Sequence, residues 1–256
     1  MTVRLDARSG RANITIDEPE RRNPLSVETM GGLVEATQAA LADDAVKVIV
    51  YTGAGEDAFS AGGDLGGWFA DDPIGLHRDR GRLADLFRLM RRGGKPTVAR
   101  VNGLALAGGF GLAVACDVTV CVDDARLGVP EAGVGLWPMM ISTVLARAMP
   151  RKAVLELMLT GRLIGGDEAC TLGAVSRVVP RSQLDEVVDE VCASLMETSP
   201  ATIMLGRDSY YAMEDVGLDT ALDRLQGGLT AVMSTADAAE GVAAFVEKRE
   251  PRWSGG

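Results

Sequence analysis

The chain has 256 residues, 47% of them hydrophobic, so it is long enough to bury a large core and too apolar to be disordered. Its formal charge of −10 is spread along the sequence without a basic block, which argues against nucleic-acid binding and requires any anionic ligand to meet a locally basic site. Four cysteines, Cys116, Cys121, Cys170 and Cys192, stand in apolar surroundings without C-x-x-C spacing and read as reduced core thiols. The opening MTVRLDARSG lacks the apolar segment of a secretory leader, so a soluble, cytoplasmic protein is expected.

Val3–Asp6 and Ala12–Asp17 alternate apolar and polar residues around Ser9-Gly10 and predict a hairpin. After the loop EPERRNPLS, Ser26 is placed to cap a helix with Met30, Leu33, Val34 and Leu41 on its apolar face, against the weak propensity of Gly31-Gly32. Val46–Thr52 is a short β-branched run that predicts a buried strand. The glycine-rich TGAGEDAFSAGGDLGGW that follows admits backbone conformations closed to other residues. Leu83, Leu86, Phe87 and Met90 mark the next helix. Strands alternating with helices through this half of the chain point to an α/β fold with crossover connections.

The stretch Val101–Val122, VNGLALAGGFGLAVACDVTVCV, is long enough to cross a hydrocarbon core. Asn102, Asp117 and Gly108-Gly109 interrupt it, and no membrane span is expected. A buried strand Thr97–Asn102, a glycine turn, a short helix over Gly109–Ala115 and a strand Val118–Val122 account for the same residues. The first N–H groups of a helix lack intrahelical partners and its dipole favours an anion there, so this turn is a candidate holder of developing negative charge.

The second half is mainly helical. Helices are predicted over Pro138–Ala148, Lys152–Thr160 with Gly161 as its C-cap, and Asp167–Leu172, followed by a strand Ala174–Val179. Leu184, Val187, Val188, Val191, Cys192, Leu195 and Met196 keep strict helical spacing, and Leu218–Met233 carries a similar stripe. Asp237 and Glu240 have the spacing of a capping box for a last helix, and Ser254-Gly255-Gly256 reads as a loose tail. So many amphipathic helices on one small domain suggest packing against a partner subunit.

RRNPLS near residue 22, AFSAGGDL at 58–65, VNGLALAGGFGLAVACD at 101–117, LGVPEAGVGLWP at 127–138, LTGRLIGGDEACTLGAVSRVVP at 159–180 and AFVEKREPRW at 244–253 occur in one order along the chain. Together they resemble the enoyl-CoA hydratase/isomerase family, the crotonases, over essentially the whole length. The resemblance implies an α/β spiral of repeated β-β-α units at residues 1–195. A helical region at 196–256 would build a homotrimer or a dimer of trimers. It implies an acyl-CoA substrate and no separate cofactor, coenzyme A being part of the substrate. It assigns Gly63 and Gly108 as backbone donors to an enolate oxyanion and Glu131, in GVPEAGVG, as the acid–base residue. A carboxylate enclosed by apolar walls has its pKa raised toward the working range of a base. Implied substrate contacts are Ala61, Asp64 and Leu65 in the first glycine turn and Trp137 and Pro138 after the acidic loop. Arg22, with Arg21, and Lys248, with Arg249, are implied for the coenzyme A phosphates.

One departure bears on the chemistry. Hydratases that this chain resembles carry a second glutamate where it has Gly111, and two carboxylates facing one water make hydration straightforward. A single carboxylate over an oxyanion hole can still move a proton from one carbon to another, which is double-bond isomerisation. Asp64, Asp71 or Asp72 could supply a second acid, but no spacing favours any of them. The run Trp137-Pro138-Met139-Met140-Ile141 points to an apolar, reshaped acyl pocket. Hydration or isomerisation of an enoyl-CoA is the expected activity. Thioester hydrolysis, decarboxylation, C–C cleavage and plain acyl-CoA binding are the alternatives. One histidine, His77, supports neither a Ser-His triad nor a multi-His metal site, and no P-loop or dinucleotide fingerprint is present.

Overall fold

The computed structural model describes residues 1–64, 66 and 72–256. Strands β1 (Val3–Arg8) and β2 (Arg11–Ile16) pair antiparallel across Ser9-Gly10. Both turn residues have positive φ, 50° and 84°, the geometry of a tight hairpin that follows the twist of its strands. Ser26 caps helix α1 (Val27–Ala42) by accepting the Thr29 amide at 3.1 Å. Gly31 and Gly32 allow that helix to lie close to neighbours, for a Cβ on Gly32 would come within 3.1 Å of Val3. Packing has overridden propensity here.

The β-branched runs become β4 (Val48–Gly53), β7 (Thr97–Val101) and β9 (Val118–Val122). With β12 (Arg177–Val179) they form one sheet in the order β1-β2-β4-β7-β9-β12, parallel from β2 onward. Each of β4, β7 and β9 is followed by a short strand that leaves for a second sheet. These are β5 (Ala58–Ser60), β8 (Leu104–Leu106) and β10 (Leu127–Gly128). The second sheet runs β11-β10-β8-β5, with β11 (Leu163–Ile164) on its edge. A helix follows each pair: α2 (Pro73–Arg92), α3 (Gly108–Ala115) and α4 (Ile141–Ala148). That repeated β-β-α unit is the expected spiral. Two residues each from β3 (Pro24–Leu25) and β6 (Gly62–Gly63) add a short parallel ladder. Tyr51, Phe59, Phe110, Leu33, Ile49 and Leu127 are fully buried between sheets and helices, and the Tyr51 hydroxyl shares a 2.9 Å hydrogen bond with Thr37.

Helices α5 (Arg151–Thr160), α6 (Gly166–Thr171), α7 (Leu184–Met196), α8 (Pro200–Met213), α9 (Leu218–Met233) and α10 (Ala236–Glu247) complete the chain. Several expectations are corrected. Helix α4 starts at Ile141, because Pro138 lies in a turn closed by a bond from the Met139 amide to the Trp137 carbonyl. The strand expected from Ala174 is confined to Arg177–Val179, since the Ala174 and Val175 amides fold back onto the Ala169 carbonyl. Helix α8 was not anticipated. Cys116, Cys121 and Cys192 are buried, but Cys170 is exposed on α6.

The end of the chain differs most from expectation. Thr235, not Asp237, caps α10. Asp237 is only 1% exposed. Its carboxylate accepts from Ser199 Oγ at 2.7 Å, Ser254 N at 2.6 Å, Ser254 Oγ at 2.9 Å and Gly255 N at 3.2 Å. Trp253 Nε1 donates to the Glu197 carbonyl at 2.6 Å. The last residues are therefore docked against the α7–α8 junction. Helix α9 buries no residue within the chain and presents Leu218, Leu222, Leu229 and Met233 to solvent, beside Val242, Phe245 and Val246 of α10. Among the described residues no single helix is long and apolar enough to cross a membrane.

Candidate active site

Strands β5, β8 and β10 are adjacent and parallel, with Ser60 opposite Ala105 and Gly128 opposite Leu106. Their C-terminal ends therefore open on one edge, each about 4.8 Å from the next, the edge where open α/β sheets present their ligand-binding loops. The loop after β5 carries Ala61 and Gly63, the turn after β8 carries Gly108, and the segment after β10 carries Glu131. The three groups inferred from separate motifs thus converge through strand register. A bond of 2.9 Å from the Ala107 amide to the Gly128 carbonyl ties the second turn to the third.

The two glycine turns touch. Gly62 has φ +88°, and a Cβ built on it would lie 2.6 Å from the Ala107 Cβ and 2.8 Å from the Leu106 carbonyl. In the β3–β6 ladder the Asp64 amide reaches toward the Leu25 carbonyl at 3.4 Å. Successive N–H groups of a strand point to opposite sides, so the Gly63 N–H is directed away from Leu25. Gly108 is the first residue of α3, and its N–H has no carbonyl four residues back to meet. Ala107 before it holds φ 51° and ψ −124°, a region that costs a non-glycine residue about 1–3 kcal/mol. That strained residue turns the Gly108 N–H out of the strand direction.

Glu131 sits in a 3-10 turn, Pro130–Val134, that ends at Gly135 with φ 75°. Gly135 is the residue here that needs the left-handed region; Gly128 lies within β10. Glu131 is half-buried, and its Oε2 is inaccessible and has no hydrogen-bond partner. Desolvation raises its pKa, opposed only by its own backbone N–H. A carboxylate with a free lone pair and a raised pKa can accept a proton from a carbon acid.

Asp64 and Asp72, the described candidates for a second acid, are both engaged. Arg21 bonds Asp64 at 2.7 Å and Glu18 at 3.2 Å, and the Asp64 carboxyl is held below its ordinary range first by that hydrogen bond. Asp72 caps α2 through the Ile74 and Gly75 amides at 3.1 and 2.9 Å. Asn23, which sequence reasoning passed over, is wholly buried. Its Nδ2 donates to the Ala54 and Ala58 carbonyls and its Oδ1 accepts from Glu18 N. It fastens the RRNPLS loop to β5, with Arg22 left exposed at φ 60° and its carbonyl accepting the Ala61 amide at 2.9 Å.

The wall beyond Gly108 is hydrocarbon. A Cβ on Gly111 would collide with Ile141 Cγ2 and lie 2.6 Å from Ile141 Cβ. Ile141 is 4% exposed and opens α4, which packs on α3. The turn before it buries Pro138 and leaves Trp137 38% exposed.

Comparison with known proteins bears on the family and the fold. Residues 6–256 match the family described as enoyl-CoA hydratase/isomerase. The chain belongs to that family. A Thermus thermophilus protein provisionally named an enoyl-CoA hydratase is 38% identical over 94% of this chain and 96% of its own. The carnitinyl-CoA dehydratase of Escherichia coli K12 is 34% identical, with 94% of each chain covered. An enoyl-CoA hydratase structure from Mycobacterium smegmatis superposes with a TM-score of 0.94 at 30% identity over 99% of both chains. The crotonase fold inferred from the motifs is the fold of this protein.

Family membership does not bring every inferred residue to one place. Arg22, Ala61, Gly63, Asp64, Gly108 and Glu131 share the edge described above, and Trp137 and Pro138 lead from it to α4. Leu65 and Asp71 lie outside the described residues. Lys248 is exposed at φ 55° after α10, which packs on α8 and α9, while Arg249 pairs with Glu240 and Glu247. Within one chain Lys248 is thus carried by the C-terminal helices and not by the loops around Glu131. His77 is exposed on α2. Among the described residues no three His, Cys, Asp or Glu side chains are grouped to hold a metal.

A separate cleft of about 1010 Å³ lies between α2, α4 and α8. Asp117 organises it, accepting from Arg207 Nε at 3.0 Å, Tyr211 Oη at 2.6 Å and the Thr97 amide at 2.7 Å. In the sequence Asp117 was no more than an interruption of an apolar run.

Proposed function

We propose that this protein binds an acyl-CoA thioester and transfers protons on its acyl chain through an enolate, isomerising or hydrating an enoyl-CoA. The observation that carries the reading is Glu131 Oε2, buried and without a hydrogen-bond partner, on the segment that leaves β10 at the edge where the two glycine turns meet. In this reading the thioester oxygen lies between the Gly63 and Gly108 N–H groups, and Glu131 takes a proton from the carbon next to the carbonyl. The electron pair moves to the oxygen as an enolate. Each fixed donor of this kind supplies about 2.7–4 kcal/mol of transition-state stabilisation. Returning the proton two carbons further on moves the double bond. Adding water instead places hydroxide on the third carbon and the proton on the second. Hydration is favoured by the names of the relatives, isomerisation by Glu131 Oε2 being the one buried carboxylate oxygen without a partner among the described residues. Arg22 is the cation at this edge that would meet a coenzyme A phosphate, and Lys248 would do so from a neighbouring copy in a trimer built on the apolar faces of α9 and α10.

The test is to incubate the protein with a trans-2-enoyl-CoA and, separately, a 3-enoyl-CoA in deuterated water and follow label in the acyl chain by mass spectrometry. Deuterium should enter, and Glu131→Gln should stop it. Label entering the variant at the wild-type rate would remove Glu131 from the reaction. Release of free coenzyme A or loss of carbons would move the protein to thioester hydrolysis, decarboxylation or C–C cleavage.

A further inference from the structure

Gly108 and Gly111 are one turn apart on α3, so they share a face. The Cα–Cβ bonds of a helix lean toward its N-terminus, and a side chain at 111 would reach back toward the Gly108 N–H. In this chain Ile141 occupies that direction, its Cβ 2.6 Å from where a Cβ at 111 would be. Ile141 cannot easily move aside. The Ser142 amide bonds the Pro138 carbonyl at 3.0 Å and the Met139 amide the Trp137 carbonyl at 2.8 Å, fixing where α4 begins. An ordered water beside the reacting carbons needs two to four polar partners, and the Gly111–Ile141 wall supplies none from its side chains.

We infer that Ile141 is a specificity-determining residue: its side chain fills and dries the flank of the site next to the Gly108 donor, so that Glu131 moves protons along the acyl chain and water is not added. The inference rests on the proposed reading of Glu131. Any side chain at 111 would overlap Ile141, so a second carboxylate cannot enter by substitution at 111 alone.

The experiment compares wild type, Ile141→Ala, Gly111→Glu and the double variant on a trans-2-enoyl-CoA, in deuterated water and in heavy-oxygen water. Deuterium in the acyl chain reports Glu131, and heavy oxygen in a 3-hydroxyacyl product reports hydration. Wild type should take up deuterium at least about a hundredfold faster than it forms the hydroxy product. Ile141→Ala should hydrate faster than wild type, and the double variant at least about tenfold faster again, the scale on which one pocket group changes selectivity. Gly111→Glu alone should melt well below wild type, and the double variant should recover most of that loss. Hydration by wild type as fast as its deuterium uptake would overturn the inference. So would Ile141→Ala and the double variant if both still exchange deuterium and hydrate no faster than wild type. Absence of deuterium uptake in wild type would instead sink the reading of Glu131, and the inference with it.

Discussion

Glu131 and Asp237 are both carboxylates drawn out of solvent, one between the parallel strand ends and the other beneath the C-terminal helices. Their surroundings differ in donors. Asp237 accepts from Ser199, Ser254 and Gly255, whereas one oxygen of Glu131 meets no donor at all. Burial opposes ionisation of Asp237 too, but those hydrogen bonds outweigh it and hold its pKa below the ordinary value. At Glu131 nothing offsets desolvation except its own amide, and the pKa rises. The molecule thus holds a satisfied carboxylate as a fastener and leaves another unsatisfied, the state that the proposed proton carrier requires.

The largest effect that would break this contrast is on rate. Glu131→Gln keeps the shape and removes the proton acceptor, so turnover of enoyl-CoA should fall about 100- to 10,000-fold. Because the amide needs no ionisation in a dry site, the variant should melt no lower than wild type at neutral pH. A large drop in melting temperature would make Glu131 a structural residue. Asp237→Ala should do the reverse. It strands four donors and frees the tail, at a cost of about 2–4 kcal/mol in denaturant unfolding, with turnover per folded molecule retained.

A smaller effect, opposite in sign at the two sites, is expected with pH. The folded pKa of Glu131 lies above the ordinary 4.5. Its contribution to stability is therefore full below the unfolded value and is lost as pH rises through the folded one. The folded pKa of Asp237 lies below the ordinary 3.8. Its contribution is present above the unfolded value and is lost as pH falls through the folded one. The melting-temperature gap between wild type and Glu131→Gln should shift against wild type as pH rises. The gap to Asp237→Ala should close in acid. Parallel trends would erase the distinction. The smallest effect concerns Asp64, the half-buried acid at the same edge. Arg21→Gln should let the Asp64 pKa return toward 3.8 in an NMR titration without a measurable loss of stability. A strong loss of turnover would bring Asp64 into the reaction.

The sequence was most legible where periodicity or a local turn carries the structure. The β-branched runs became β4, β7 and β9, and the stripe from Leu184 to Met196 became α7. Gly63, Gly108 and Glu131 were singled out by family motifs, and that they lie at one edge follows from parallel register between β5, β8 and β10, which no single segment encodes. Polar residues that act over long sequence separations stayed hidden. Asn23 reaches Ala58, Asp117 reaches Arg207, and Asp237 reaches Ser199. Helix α8 escaped for a related reason. Its Arg207 points inward to Asp117 and Ala201 is its buried apolar residue, so it lacks the apolar stripe by which a helix is recognised. The absence of a carboxylate at Gly111 was plain from the sequence, but the side chain that fills its place is thirty residues away, counting from 111 to 141.

The contact between Gly111 and Ile141 also sets the order in which this sequence can change. A lineage that enlarges position 111 first passes through a chain with overlapping atoms, whereas one that first shrinks position 141 crosses only a cavity. The two positions are therefore epistatic. A library of single substitutions would score every large residue at 111 as damaging, and only one that varies 111 and 141 together can reach a carboxylate there.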